Sequence, residues 1–161
     1  MRKYPLQRLL QVRLHREQEA QAELTRCRRV AEEARIAAEK ARMVAETFSR
    51  ERPQKEAALF EEIRNQVLNR KEVDAYHAKI QALVAREVDL HDAASAAKAR
   101  HTEAEKAVEE ALERLRLAIL EVKKFEEHRQ RWLIEEMARI EAAEEQEIEE
   151  AAGQRSSGQK Q

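Results

Sequence analysis

Between Leu6 and Ala152 the chain contains a single proline, Pro53, and no glycine. A β-sandwich or an α/β domain reverses direction about every ten residues, and its reversals are built from Gly, Pro, Asn and Asp. A stretch this long without Gly, and with one Pro, is helix. The side chains agree. Charged residues make up 39%, aromatics 4%, and the 42% hydrophobic fraction is heavy in alanine. That is the composition of long helices and coiled coils rather than of disordered chain. Without glycine there is also no loop to cradle a phosphate.

The apolar period fixes the arrangement. In alternating steps of three and four, positions 73, 76, 80, 83, 87, 90, 94, 97, 101, 104, 108, 111, 115, 118, 122, 125, 129 and 132 are apolar except for Glu87, His101 and Arg129. A period of 3.5 keeps one stripe of a helix facing a partner, so this is a coiled-coil seam. A weaker stripe precedes it at 6, 9, 13, 16, 20, 23, 27, 30, 34, 37, 41, 44, 48 and 51, broken by Arg13, Arg16, Glu23 and Glu51. Beyond Pro53 the stripe slips, because Leu59, Phe60, Ile63 and Val67 leave its frame. Proline removes a helical hydrogen bond and clashes with the preceding turn, so a kink or short break is expected there.

The only two asparagines, Asn65 and Asn69, mark the place where two such helices turn back on each other. Asn65 can end a helix in the left-handed conformation, and Asn69 followed by Glu72 has the spacing of an N-cap with an acidic third residue. The expected fold is all-α: a long antiparallel two-helix coiled coil, with helix 1 over about 5–66 and helix 2 over about 70–152. Residues 1–152 would form one hairpin, and 153–161, polar and starting at Gly153, a disordered tail. Superposing the seams lets facing residue numbers sum to 138 or 145. The first is preferred, since it faces Leu6 with Trp132, Cys27 with Ala111, Ala34 with Ala104, Ala41 with Ala97 and Phe48 with Leu90. Helix 2 would then overhang helix 1.

No catalytic or cofactor chemistry is expected. The five histidines and the one cysteine, Cys27, show no metal-ligand spacing, and a two-helix assembly has no deep pocket in which to hold an acid–base pair. Net charge is −1, so no overall field favours nucleic acid. No apolar run reaches the ~18 residues of a membrane span. The N-terminal stretch has no apolar core of a secretory signal, which fits a soluble cytoplasmic chain. Charge is nonetheless segregated. Residues 1–30 are rich in Arg and Lys and 133–152 rich in Glu, which would lie side by side in an antiparallel hairpin.

The opening Lys3-Tyr4-Pro5-Leu6, followed by Leu9-Leu10-Gln11-Val12-Arg13, resembles the amino terminus of the YscO/FliJ family, the YscO-like branch in particular. The single hairpin, a turn just before Tyr76, and Arg131-Trp132 entering an acid-rich helix are similar as well. The resemblance implies a cytoplasmic, monomeric stalk protein at the base of a type III secretion apparatus. It would link the hexameric secretion ATPase to the export gate and handle chaperones of secreted substrates. By the family's likeness to the γ subunit of rotary ATPases, the end with both termini would meet the ATPase. Candidate residues there are Arg2, Lys3, Arg8, Arg13, Arg16, Glu135, Glu136 and Glu141. The turn would meet the gate through Phe60, Ile63, Val67, Leu68 and Tyr76. The alternative is a general coiled-coil scaffold or a holdase that grips clients with an apolar tip.

Overall fold

The computed structural model describes residues 1–159, which form two helices, α1 (Gln7–Ile63) and α2 (Arg70–Gly158). They pack against each other as an antiparallel hairpin. Contacts divide the chain into two units: Met1–Glu23 with the chain from Leu112 onward, and Leu24–Ala111.

The helix ends follow from local chemistry. Gln7 N–H bonds the Tyr4 carbonyl at 3.2 Å and Leu10 N–H the Leu6 carbonyl at 3.0 Å. Pro5, with its fixed φ and missing donor, suits the residues just ahead of a first turn. At the other end α1 stops at Ile63, and Asn65 adopts a φ of 61°. Asparagine tolerates this left-handed conformation better than most residues. Asn69 then caps α2: its Oδ1 accepts the Glu72 N–H at 2.9 Å and its Nδ2 donates to Glu72 Oε1 at 3.3 Å. Both asparagines therefore do what their spacing predicted, although α1 ends three residues before Gln66.

Two expectations change. First, α2 does not end at Ala152 but continues as helix through Gly153 to Gly158. Neither glycine has a positive φ, so both accept the ordinary helical conformation at a modest entropic cost. Lys160 and Gln161 of the expected disordered tail lie outside the described residues. Second, α1 is assigned without a break across Pro53.

The α2 seam is as read: every position of the stripe except Arg129 is buried or half-buried. The α1 seam is shifted by one residue in alternate positions. Leu10 and Leu24 are 2% exposed and Ala45 1%, whereas Leu9, Val30 and Val44 are 49%, 51% and 52% exposed. The stripe that packs is 6, 10, 13, 17, 20, 24, 27, 31, 34, 38, 41, 45, 48 and 52. Positions 9 and 10, 30 and 31, and 44 and 45 are each apolar pairs, so two overlapping stripes share the row Cys27, Ala34 and Ala41. Packing selects the row with Ala31, Ala38 and Ala45, since smaller side chains let two backbones approach more closely than Val30 and Val44 allow.

The preferred register holds in each unit. Arg2 with Glu136 and Arg13 with Phe125 are facing pairs whose numbers sum to 138. In the second unit Arg52 meets Glu87, within one residue of that register. Past Phe48 the α1 seam runs 52, 56, 59, 63, with two successive steps of four around Pro53. An extra step of four locally unwinds a coiled coil, and this is the slip seen in the sequence.

Candidate partner-binding site

A two-helix seam offers clefts along its flanks. The described residues contain no group of three His, Cys, Asp or Glu side chains able to hold a metal, and no helix long and apolar enough to cross a membrane.

In the first unit, residues 1–4 precede α1 and are laid against α2 by contacts of Arg2 and Tyr4. Glu136, only 5% exposed, accepts the Arg2 N–H at 3.0 Å and the Arg139 guanidinium at 2.7 and 3.0 Å. These hydrogen bonds, the one from Arg139 first, hold its carboxyl down at about 2 against burial, which acts the other way. Tyr4, 7% exposed, shares a 2.7 Å hydrogen bond with His128 Nδ1. Its ring meets Trp132 edge-on at 5.6 Å between centroids, a geometry that aromatic quadrupoles favour. Further along, the Arg13 guanidinium lies 5.9 Å from the Phe125 ring centre.

The proposed ATPase-facing residues are therefore not equivalent. Arg2, Lys3, Arg8, Arg16, Glu135 and Glu141 are exposed. Arg13 is half-buried and spends its charge on Phe125. Glu136 faces inward and is fully engaged with Arg2 and Arg139, so it shapes the site rather than offering a free charge. Arg2, Lys3 and Arg8 come together with Arg129, Trp132 and Leu133 around one open cleft. Arg13, Arg16, Glu135 and Glu141 do not line it.

At the turn, in the second unit, Ile63, Leu68 and Tyr76 are half-buried and line a shallow cleft with Leu59. They mainly close the hairpin on itself. Phe60 and Val67 are 53% and 101% exposed and project into solvent. The five proposed gate-facing residues thus split into three that seal the turn and two that remain open.

Across residues 6–154 the sequence matches the model of a family described as type III secretion protein YscO. The chain belongs to the YscO family. No curated protein and no solved structure gives a significant match. As a YscO-family member the chain is a non-catalytic component associated with type III secretion.

Reading the sequence missed four parts of the terminal site of this YscO-family chain: Tyr4 as the pin of the N-terminal segment, His128 as its partner, Arg129 as a wall of the cleft, and Glu136 as the clasp of Arg2. Tyr4 precedes the helix, so no heptad pattern includes it. One signal was available: Tyr4 and Trp132 are the first unit's Tyr and the molecule's only Trp, and their numbers sum to 136, two short of the 138 register that pairs Arg2 with Glu136.

Proposed function

We propose that this protein is the cytoplasmic stalk of a type III secretion apparatus, a monomer joining the hexameric secretion ATPase to the export gate and handling substrate chaperones on the way. Family membership over residues 6–154 carries this reading. The surface chemistry supports it. The unit with both termini presents exposed Arg2, Lys3, Arg8 and Arg16 beside Glu135 and Glu141, whereas the turn presents Phe60 and Val67. Two surfaces of such different character suit two different partners: charged contacts steer and orient encounter, and apolar ones add burial on docking.

The test is co-sedimentation with the assembled ATPase and with the soluble domain of the gate, both from the same secretion system. Arg8→Glu with Arg16→Glu is expected to weaken ATPase binding and to leave gate binding and helicity unchanged. Phe60→Ala with Val67→Ala is expected to do the reverse. Swapped outcomes would mount the hairpin the other way up, and capture of neither partner would reject the stalk. The fully exposed Val67 beside Phe60 favours one second reading, a holdase gripping clients by an apolar tip. That reading requires the protein to suppress aggregation of an unfolded client, and the Phe60→Ala, Val67→Ala variant to lose that ability.

A further inference from the structure

We propose that the cleft between the N-terminal segment and α2 is a receptor for a short acidic segment of a partner protein, one in which carboxylates flank an apolar side chain. The proposal deepens the stalk reading by giving the chemistry of the partner, and it rests on that reading for taking this unit as partner-facing.

The first ground is charge without compensation. Arg2, Lys3, Arg8 and Arg129 line one cleft with Trp132 and Leu133, and no acidic residue lines it. Lys3, Arg8 and Arg129 make no ion pair among the described residues. Arg2 is drawn to Glu136, whose carboxyl it helps to hold down. Arg129 is the informative one. Glu126 stands three residues before it, the spacing at which Arg35, Arg64, Arg116 and Arg139 each take the glutamate behind them. Arg129 takes no such partner and lines the cleft instead. Cations gathered from both helices repel one another unless an anion sits among them.

The second ground is rigidity. The Glu136 clasp on Arg2 and the Tyr4 contacts to His128 and Trp132 fix the N-terminal wall against α2. A preformed cleft avoids an ordering cost on binding. Trp132 and Leu133 are half-buried and supply an apolar surface among the charges, where a carboxylate-flanked aliphatic or aromatic side chain has something to pack on.

The third ground selects a short acidic peptide over a long polyanion. On α2 the basic positions Arg129 and Arg131 are preceded by the exposed Glu126 and Glu127 and followed by the exposed Glu135 and Glu141. A nucleic acid or an anionic membrane would meet those carboxylates on either side. A segment a few residues long would not.

Trp132 is the only tryptophan, so its emission reports on the cleft directly. The full-length protein is titrated with a capped peptide of glutamates interspersed with leucines, with the same peptide carrying glutamines, and with tripolyphosphate. A saturable change in Trp132 emission is expected with the acidic peptide alone. Arg8→Glu with Arg129→Glu should weaken it about tenfold or more while leaving the melting curve unchanged, as these side chains are exposed and charged pairs across an interface act together. Equal binding of the glutamine peptide, an equal response to tripolyphosphate, or unchanged affinity of the double variant would overturn the proposal. So would an emission change that tracks protein concentration and a doubled mass, which would make a second copy's acidic helix the occupant. Failure of the peptide with ATPase capture intact removes this inference alone. Peptide binding without ATPase capture removes the stalk reading and keeps the acidic receptor.

Discussion

The stretch around Tyr4 and the stretch around Pro53 solve the same problem, closing a two-helix seam, in opposite ways. Around Tyr4 every buried polar group has a well-placed partner: Glu136 takes Arg2 and Arg139, and Tyr4 takes His128. Around Pro53, charge sits in the seam itself. Arg52 Nε lies 2.8 Å from Glu87 Oε2, an ion pair too poorly angled for a directed hydrogen bond, and these two buried atoms have no other partner. Pro53 has no N–H for the Ser49 carbonyl four residues back, while Ser49 Oγ bonds His91 Nε2 at 2.8 Å. The seam also takes its extra step of four here. The difference shows that a thin coiled coil can hold firmly where a few side chains interlock and remain soft where polar layers replace apolar ones. A half-satisfied polar layer contributes little stability.

The comparison breaks first at Tyr4. Tyr4→Ala removes a buried ring and is expected to cost about 4 kcal/mol in chemical denaturation. Tyr4→Phe keeps the ring, loses the bond to His128, and should cost only about 1 kcal/mol. If the two cost the same, the ring packing against Trp132 contributes nothing. Leu10→Ala should cost about 3 kcal/mol and Leu9→Ala less than about 0.5, because only the former is buried. Equal costs would restore the seam through Leu9.

At the soft stretch, Pro53→Ala should stabilise by about 2 kcal/mol, since proline is disfavoured inside a helix by about 3. It should also slow amide exchange near residues 53–57. Fast exchange that survives the substitution would assign the softness to the polar layer instead. Arg52→Leu with Glu87→Leu is expected to be neutral or stabilising by up to about 1 kcal/mol, while Glu87→Leu alone destabilises by removing the partner of Arg52 across the seam and leaving it only Glu56 of its own helix. The pair is about one-quarter to one-third exposed, so solvent screens it and keeps both effects small.

The smallest effect is read by pH. The Glu136 carboxyl is held at about 2, below its ordinary value of 4.5. A depressed carboxyl contributes stability that is fully present above the ordinary value and is lost as pH falls through the folded one. Melting followed from pH 5 to about 2 should therefore show a decline that is shallower in Glu136→Gln. An identical decline in both would mean that neither Arg139 nor the Arg2 N–H holds the Glu136 carboxylate.

Much of the fold was legible because helices are local. The absence of glycine, the 3.5 period of α2, and the Asn65 and Asn69 signals each act within a few residues, and each appears where it was read. The split of the proposed gate-facing residues was not legible. Phe60 and Ile63 lie three apart on α1, yet one is exposed and the other closes the turn, a distinction made by where α2 returns.

Sequence by itself determined that this chain is two helices, where they turn, which α2 face meets α1, and the register near 138. Tertiary structure alone decided which of two overlapping apolar rows on α1 would pack, because both rows have the right period and only the fit against α2 separates Leu10 from Leu9. It alone decided that Glu136 is a clasp, since a glutamate's role depends on what stands opposite, and the N–H of Arg2 is 134 residues away in the chain. It alone gathered Arg2, Lys3, Arg8 and Arg129 around Trp132, because a site built from both strands of a hairpin has no spacing in sequence by which to be recognised.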